Sequence, residues 1–120
     1  QHHMLFHIEN AASTQQFIQK LGKLGLEVEI TELDARLRLF KNAKDPYLAQ
    51  GQYYAEIVQV CLQLSHCKGV TFWGLDDRNS WHDELGAVFP KPNEPYLFDA
   101  QLNPKPGVKA IGEVLEKAIN

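Results

Sequence analysis

The chain has 120 residues, 44% of them hydrophobic and 10% aromatic, which suits one folded core and excludes a disordered chain. Twelve Lys and Arg against fifteen Asp and Glu give a formal net charge of -3 with no basic run, which argues against a mainly electrostatic nucleic-acid or membrane-surface role. No apolar stretch approaches the ~20 residues of a membrane span, and residues 1–10 are too polar for a signal peptide. The first element with a clear period begins at Ser13 or Thr14, either a suitable N-cap. It runs to Leu24, with Phe17, Leu21 and Leu24 on one face and Gly25 where a helix C-terminal glycine belongs. A strand is predicted over Leu26 to Leu33, with Leu26, Val28 and Ile30 on one face continuing in register to Glu32 and Asp34. Residues 35–45 have only a weak apolar rhythm and read as a long loop punctuated by Asp45-Pro46.

Ala49 to Leu64 is the clearest helix, carrying Tyr53, Ile57, Val60, Cys61 and Leu64 at helical spacing, with a stop at His66 to Gly69. Val70 to Leu75 is a short β-branched and aromatic strand that leads into the polar turn Asp76-Asp77-Arg78-Asn79. Pro90, Pro92 and Pro95 keep the next stretch irregular, and Tyr96 to Phe98 is a short extended piece. Pro104 and Pro106 then precede a last helix with Val108, Ile111, Leu115 and Ile119 as its buried stripe. No repeat or flexible linker divides the chain, so residues 1–120 are expected to belong to one domain. The order is a βα alternation with the longer loops after the strands, the active-site side of a (β/α)8 barrel. Such a barrel takes about 250 residues, so this chain supplies about two βα units and a trailing strand end, with edges left to be paired. A first residue of Gln1 rather than Met agrees with an upstream segment that was removed or lies on another polypeptide.

Glu32 and Asp34 stand two apart on a predicted strand and are expected to face the same way. From spacing alone they are a catalytic pair or partners of Arg36 and Arg38. Trp73, at the end of the last strand, and Trp81, in the loop beyond it, are the only two tryptophans. Flat indole faces suit sugar rings, while Trp73 also suits a core position. His2, His3 and His7 have no Cys or carboxylate nearby at zinc-ligand spacing, so no metal site is expected. Cys61 and Cys67, six apart, are either a small disulfide ring or two reduced core thiols.

Ile30-Thr31-Glu32-Leu33-Asp34 resembles the nucleophile-strand motif of glycoside hydrolase family 10, the endo-β-1,4-xylanases. Several other motifs agree in order over nearly the whole chain. Gln1-His2-His3 resembles the family's Gln-x-His strand end, and Gly25-Leu26 its Leu-Gly-Leu lead into the nucleophile strand. Gly69-Val70-Thr71-Phe72-Trp73-Gly74 and Asp77-Arg78-Asn79-Ser80-Trp81 resemble the last strand and its loop. Leu97-Phe98-Asp99 and Pro104-Lys105-Pro106 resemble the closing segment.

The resemblance implies the α/β fold of a (β/α)8 TIM barrel, here the segment from the end of strand 6 to helix 8, incomplete without an N-terminal part. It implies a retaining endo-1,4-β-xylanase acting on xylan or xylo-oligosaccharide, with Glu32 as nucleophile, His3 and Asp34 as its support, and Gln1, Trp73 and Trp81 binding sugar. It also implies a Cys61–Cys67 disulfide, a secreted or periplasmic setting, and no cofactor or metal. The family's acid/base lies in an Asn-Glu motif that this chain lacks, so an N-terminal barrel segment is the expected partner, and no nucleic acid or membrane is. Gly107 and Asp76 depart from common family residues without touching the chemistry. The alternative is a non-catalytic xylan-binding or assembly fragment.

Overall fold

The computed structural model describes residues 1–120. Three parallel strands, β1 (His3–Met4), β2 (Val28–Ala35) and β3 (Cys67–Phe72), form one sheet in the order β1-β2-β3. The helices are α1 (Ala11–Lys23), α2 (Pro46–Gln63), the short α3 (Trp81–Glu84) and α4 (Pro106–Ile119). Helices α1 and α2 provide the crossovers that parallel neighbours need. The outer edges of β1 and β3 pair with no strand.

Helix α1 starts earlier than expected. The Asn10 side chain accepts a hydrogen bond from Ser13 N at 2.8 Å, so Asn10 caps the helix in place of Ser13 or Thr14. Gly25 follows the last turn at φ +77°, the left-handed conformation that a glycine adopts without strain. The expected buried face is corrected as well: Phe17 and Leu24 are 62% and 74% exposed, and Ile18 and Thr14 are the buried residues. An apolar stripe marks a preference for burial, but the neighbouring elements decide which side is covered, and here Ile18 joins the cluster with β2 and α2.

Strand β2 begins at Val28 rather than Leu26, which stays half exposed. Its alternation is also broken. Ile30 pairs with Val70 and Leu33 with Phe72, so three steps on β2 match two on β3, and Glu32 in the bulge has φ 59°. The consequence corrects the sequence reading. Unbroken alternation would send Glu32 and Asp34 to the same face as Val28 and Ile30, against the helices. With one residue bulged, Leu33 and Ala35 take the helix side and both carboxylates take the other.

Helix α2 starts at Pro46, three residues before Ala49, because Asp45 accepts from Leu48 N at 3.1 Å and proline tolerates the first helical turn. Tyr53, Ile57, Val60 and Cys61 are buried as its period requires. The following strand is shifted toward the N-terminus of the predicted one, from Cys67 to Phe72, so Trp73 to Leu75 lie beyond its end. Two facts set this start: Cys67 lies opposite Val28 in the sheet, and it is disulfide-bonded to Cys61. A ring this short contributes about 2 kcal/mol by chain entropy and ties the end of α2 to the first residue of β3.

The stretch 35–45 is not all loop, since Leu37–Phe40 form a 3-10 turn. Arg36 before it is buried and donates from Nε to Asn93 Oδ1 at 2.8 Å and from its guanidinium to Leu5 O at 3.1 Å. It therefore pairs with neither Glu32 nor Asp34. Helix α4 keeps its predicted place, but its expected stripe is buried only near its start: Val108 and Ile111 are partly covered, while Leu115 is 42% and Ile119 84% exposed. Contact with α2 runs through Gly107 and Gly51, where a Cβ on Gly51 would meet Gly107 N at 2.6 Å. The core itself lies between the sheet and the helices and comprises Ile18, Ile30, Leu33, Ala35, Tyr53, Tyr54, Ile57, Val60 and Cys61.

Candidate active site

The carboxyl ends of the three strands bring together side chains that are far apart in sequence. Strand β1 pairs with β2 so that His3 lies opposite Asp34. This register places the His3 ring between two carboxylates, Nδ1 2.9 Å from Asp34 Oδ1 and Nε2 3.0 Å from Glu32 Oε2. Each contact needs a proton between nitrogen and oxygen. The ring supplies both as an imidazolium, or supplies one while Glu32 holds the other.

Glu32 keeps 20% of its side chain accessible and receives a second, longer hydrogen bond of 3.3 Å from Gln1 Nε2 to Oε1. Its positive φ is costly for a non-glycine residue, on the order of 1–3 kcal/mol, and such conformations persist where the surroundings dictate them. Asp34 is completely buried. A buried carboxylate needs donors, and its Oδ2 accepts from Trp81 Nε1 at 2.7 Å while His3 serves Oδ1.

Aromatic rings surround this chain of groups. Trp73 stands edge-on to His3 at 6.3 Å between centroids and is half exposed, whereas Trp81 lies at 5.0 Å from His3 and is partly buried. Trp73 is therefore no core residue. The backbone passes close beneath it at Gly74, where a Cβ would come within 2.5 Å of the Tyr96 ring. Behind the site, Tyr54 accepts from Ala35 N at 2.8 Å and donates to Pro95 O, and Gln50 Nε2 donates to Ala35 O at 2.9 Å and Glu94 O at 2.8 Å. Burial pushes the Tyr54 hydroxyl well above its ordinary pKa, so it remains a neutral strap between β2 and the segment around Pro95.

The structure thus gathers Gln1, His3, Glu32, Asp34, Trp73 and Trp81 at one mouth, and leaves Cys61 and Cys67 on α2 and β3 in their own bond. Nowhere are three or more His, Cys, Asp or Glu side chains arranged to hold a metal ion. Sequence reasoning missed His82, which is fully buried with Nε2 3.1 Å from Asp34 Oδ2. It also missed Asn93, which accepts from Arg36 and donates to Asp83 Oδ1 at 2.6 Å and Phe89 O at 3.1 Å. Neither residue has a period or spacing that signals its role. The only available cue was that His82 follows Trp81 in the chain.

The class defined by parallel strands alternating with helices, with acidic and indole side chains at the strand ends, is an α/β protein with a polar, aromatic-walled mouth. Residues 1–114 match Glycosyl hydrolase family 10, and the chain belongs to that family. It is 37% identical over 94 residues to endo-1,4-beta-xylanase 2 of Aureobasidium pullulans, covering 78% of this chain and 25% of that protein. Among solved structures, native xylanase 10B from Thermotoga maritima superposes with a TM-score of 0.81 at 35% identity, over 98% of this chain and 35% of that one. Xylanase 10B from Thermotoga petrophila in complex with xylobiose gives a TM-score of 0.79 at 35% identity, over 99% and 35% of the two chains. The chain therefore spans about a quarter to a third of the length of these relatives.

Proposed function

We propose that residues 1–120 are the C-terminal portion of a single (β/α)8 barrel, running from the end of strand 6 to helix 8, and that the completed barrel is a retaining endo-1,4-β-xylanase. Support for the barrel comes from the unpaired outer edges of β1 and β3 and from the share of its relatives that the chain spans. Closing such a sheet leaves no free edge. The N-terminal portion, in the same precursor or on another chain, supplies the general acid/base.

In this reading Glu32 attacks the anomeric carbon of a xylose unit, and the glycosyl–Glu32 bond forms as the glycosidic bond breaks. A carboxyl about 5–5.5 Å away protonates the leaving oxygen and then activates the water that releases the sugar. The observation that carries the assignment is the His3 ring held between part-exposed Glu32 and buried Asp34 at 3.0 Å and 2.9 Å. That bridge fixes Glu32 in one orientation, with Asp34 holding the ring from its other side. Gln1, Trp73 and Trp81 bind the sugar beside Glu32, with the exposed Trp73 indole as one wall. The Cys61–Cys67 bond supports a secreted or periplasmic setting.

The test is Glu32→Ala in the complete barrel. Loss of a covalent nucleophile is expected to lower kcat on xylan by roughly 10⁴-fold or more. Hydrolysis near the wild-type rate sinks the assignment.

A further inference from the structure

One histidine near the site has no part in the mechanism above. His82, on α3, has no solvent exposure, and its ring is enclosed by the Trp81 indole at 4.8 Å and the Phe89 ring at 6.1 Å between centroids. The Arg36 guanidinium lies 4.2 Å over the Phe89 ring, and the Phe89 carbonyl accepts from Asn93. The ring is thus fixed from several directions. Its Nε2 comes to 3.1 Å from Asp34 Oδ2 but is too bent for a full hydrogen bond, and Nδ1 has no polar partner at all.

An enclosed polar ring with an unpartnered nitrogen is costly, so its placement needs a reason. The choice of tautomer supplies one. A buried lone pair without a donor is less costly than a buried N–H without an acceptor, and a lone pair on Nε2 would face the oxygen of a carboxylate. A ring with its proton on Nε2 leaves the less costly lone pair on Nδ1 and turns its N–H dipole toward Asp34.

Resting on the reading of Glu32 as nucleophile, we propose that His82 is a positioning residue: a neutral imidazole, protonated on Nε2, that acts on Glu32 through Asp34 and His3. Asp34 then has three nitrogens around it. His3 takes Oδ1, Trp81 donates to Oδ2, and His82 Nε2 stands 3.1 Å from that same oxygen. With Trp81 bonded to Oδ2 and the His82 N–H dipole turned toward the same oxygen, rotation of the carboxylate is opposed, and Oδ1 stays aimed at His3 Nδ1. The His3 ring in turn keeps Nε2 on Glu32. His82 never meets the sugar, so it acts on the rate of attack and not on substrate affinity.

The experiment uses the complete barrel with an aryl xylobioside as substrate. His82→Phe, which keeps the ring packing and removes the nitrogens, is expected to lower kcat about tenfold with KM within about twofold, the scale of losing a supporting contact to a charged group. His82→Gln, whose amide nitrogen reaches the place of Nε2, is expected to restore most of that loss. Wild-type kcat in His82→Phe, or equal loss in the two variants, overturns the proposal. Should His82→Phe not fold, nitrogen-15 NMR of histidine-labelled wild-type enzyme decides. A proton on Nε2 whose signal moves in Asp34→Asn supports the proposal, and a proton on Nδ1 or an unmoved signal overturns it. An active Glu32→Ala enzyme would instead remove the underlying reading of Glu32, so the two failures are distinguishable.

Discussion

Two buried carboxylates lie at or beyond the carboxyl ends of the strands, Asp34 near the end of β2 and Asp77 in the segment after β3, and their surroundings are opposite in kind. Asp34 is served by side-chain nitrogens of His3 and Trp81, and through His3 it reaches the part-exposed Glu32. Asp77 is paired at 3.0 Å with the buried ammonium of Lys105 and accepts from Tyr96 N at 2.8 Å, while Lys105 also donates to Glu94 O at 2.8 Å. Burial raises the pKa of Asp77 and lowers that of Lys105, so desolvation outweighs the attraction within the pair for both partners. The difference teaches that a buried charge does not by itself mark a site. Asp77 leads only to backbone and a closed ion pair, whereas Asp34 leads through a titratable ring to a carboxylate at an open, aromatic-walled mouth.

The sharpest way to break this comparison is Asp34→Asn in the complete barrel. The amide adds N–H groups where His3, Trp81 and His82 already direct nitrogens, so kcat is expected to fall by roughly 10³–10⁴-fold, the scale seen when the orienting carboxylate of a catalytic His is lost. Unchanged kcat would make Asp34 a structural group like Asp77. For the closed pair the expected effect is on stability. Lys105→Met strands a buried carboxylate and should cost about 3–5 kcal/mol in denaturant unfolding, with kcat of the folded enzyme unchanged. The double variant Asp77→Leu, Lys105→Met should recover most of that loss, and failure to do so would show that the pair stabilises the fold beyond balancing its own charges.

Gly74→Ala examines the contact between the two regions. Its Cβ would sit 2.5 Å from Tyr96 Cζ, and the Tyr96 amide is bonded to Asp77, so about 1–3 kcal/mol of stability should be lost. An unchanged melting temperature would mean that Tyr96 can yield, and that the two clusters are independent.

The smallest effect belongs to Tyr47, which donates to Glu94 Oε1 at 2.8 Å. That hydrogen bond, with some burial, raises the Tyr47 pKa from 10.0 to about 12. A raised folded-state pKa contributes stability that is complete below the unfolded pKa and is lost as pH rises through the folded value. The stability difference between wild type and Tyr47→Phe should therefore be constant below pH 10 and disappear by about pH 12. A difference that persists above that range would assign it to packing alone.

Much of the site was legible in the residues themselves. Spacing put Glu32 and Asp34 together on one strand and the two tryptophans at and beyond another, and the resemblance to glycoside hydrolase family 10 added Gln1, His3 and the roles before any contact was known. What that pattern misplaced was the face of Val28 and Ile30 relative to the two carboxylates. Period-two alternation carried Val28 and Ile30 straight on to Glu32 and Asp34, and only pairing with β3 introduces the bulge that separates apolar from acidic positions. Helix α1 gives a similar lesson, because Phe17 and Leu24 fit an apolar stripe yet have no element packed over them, and Ile18 does.

Local chemistry determined the elements: Pro46 and Pro106 begin helices, Gly25 ends one, and β-branched runs make strands, each through short-range sterics and hydrogen bonding. Tertiary structure decided the rest. The positive φ of Glu32, the enclosure of His82 and the exclusion of Arg36 from the carboxylates depend on partners up to 57 residues away, as for Arg36 and Asn93. Sequence neighbours cannot specify such contacts, because their energy exists only once separate strands and loops have been brought together.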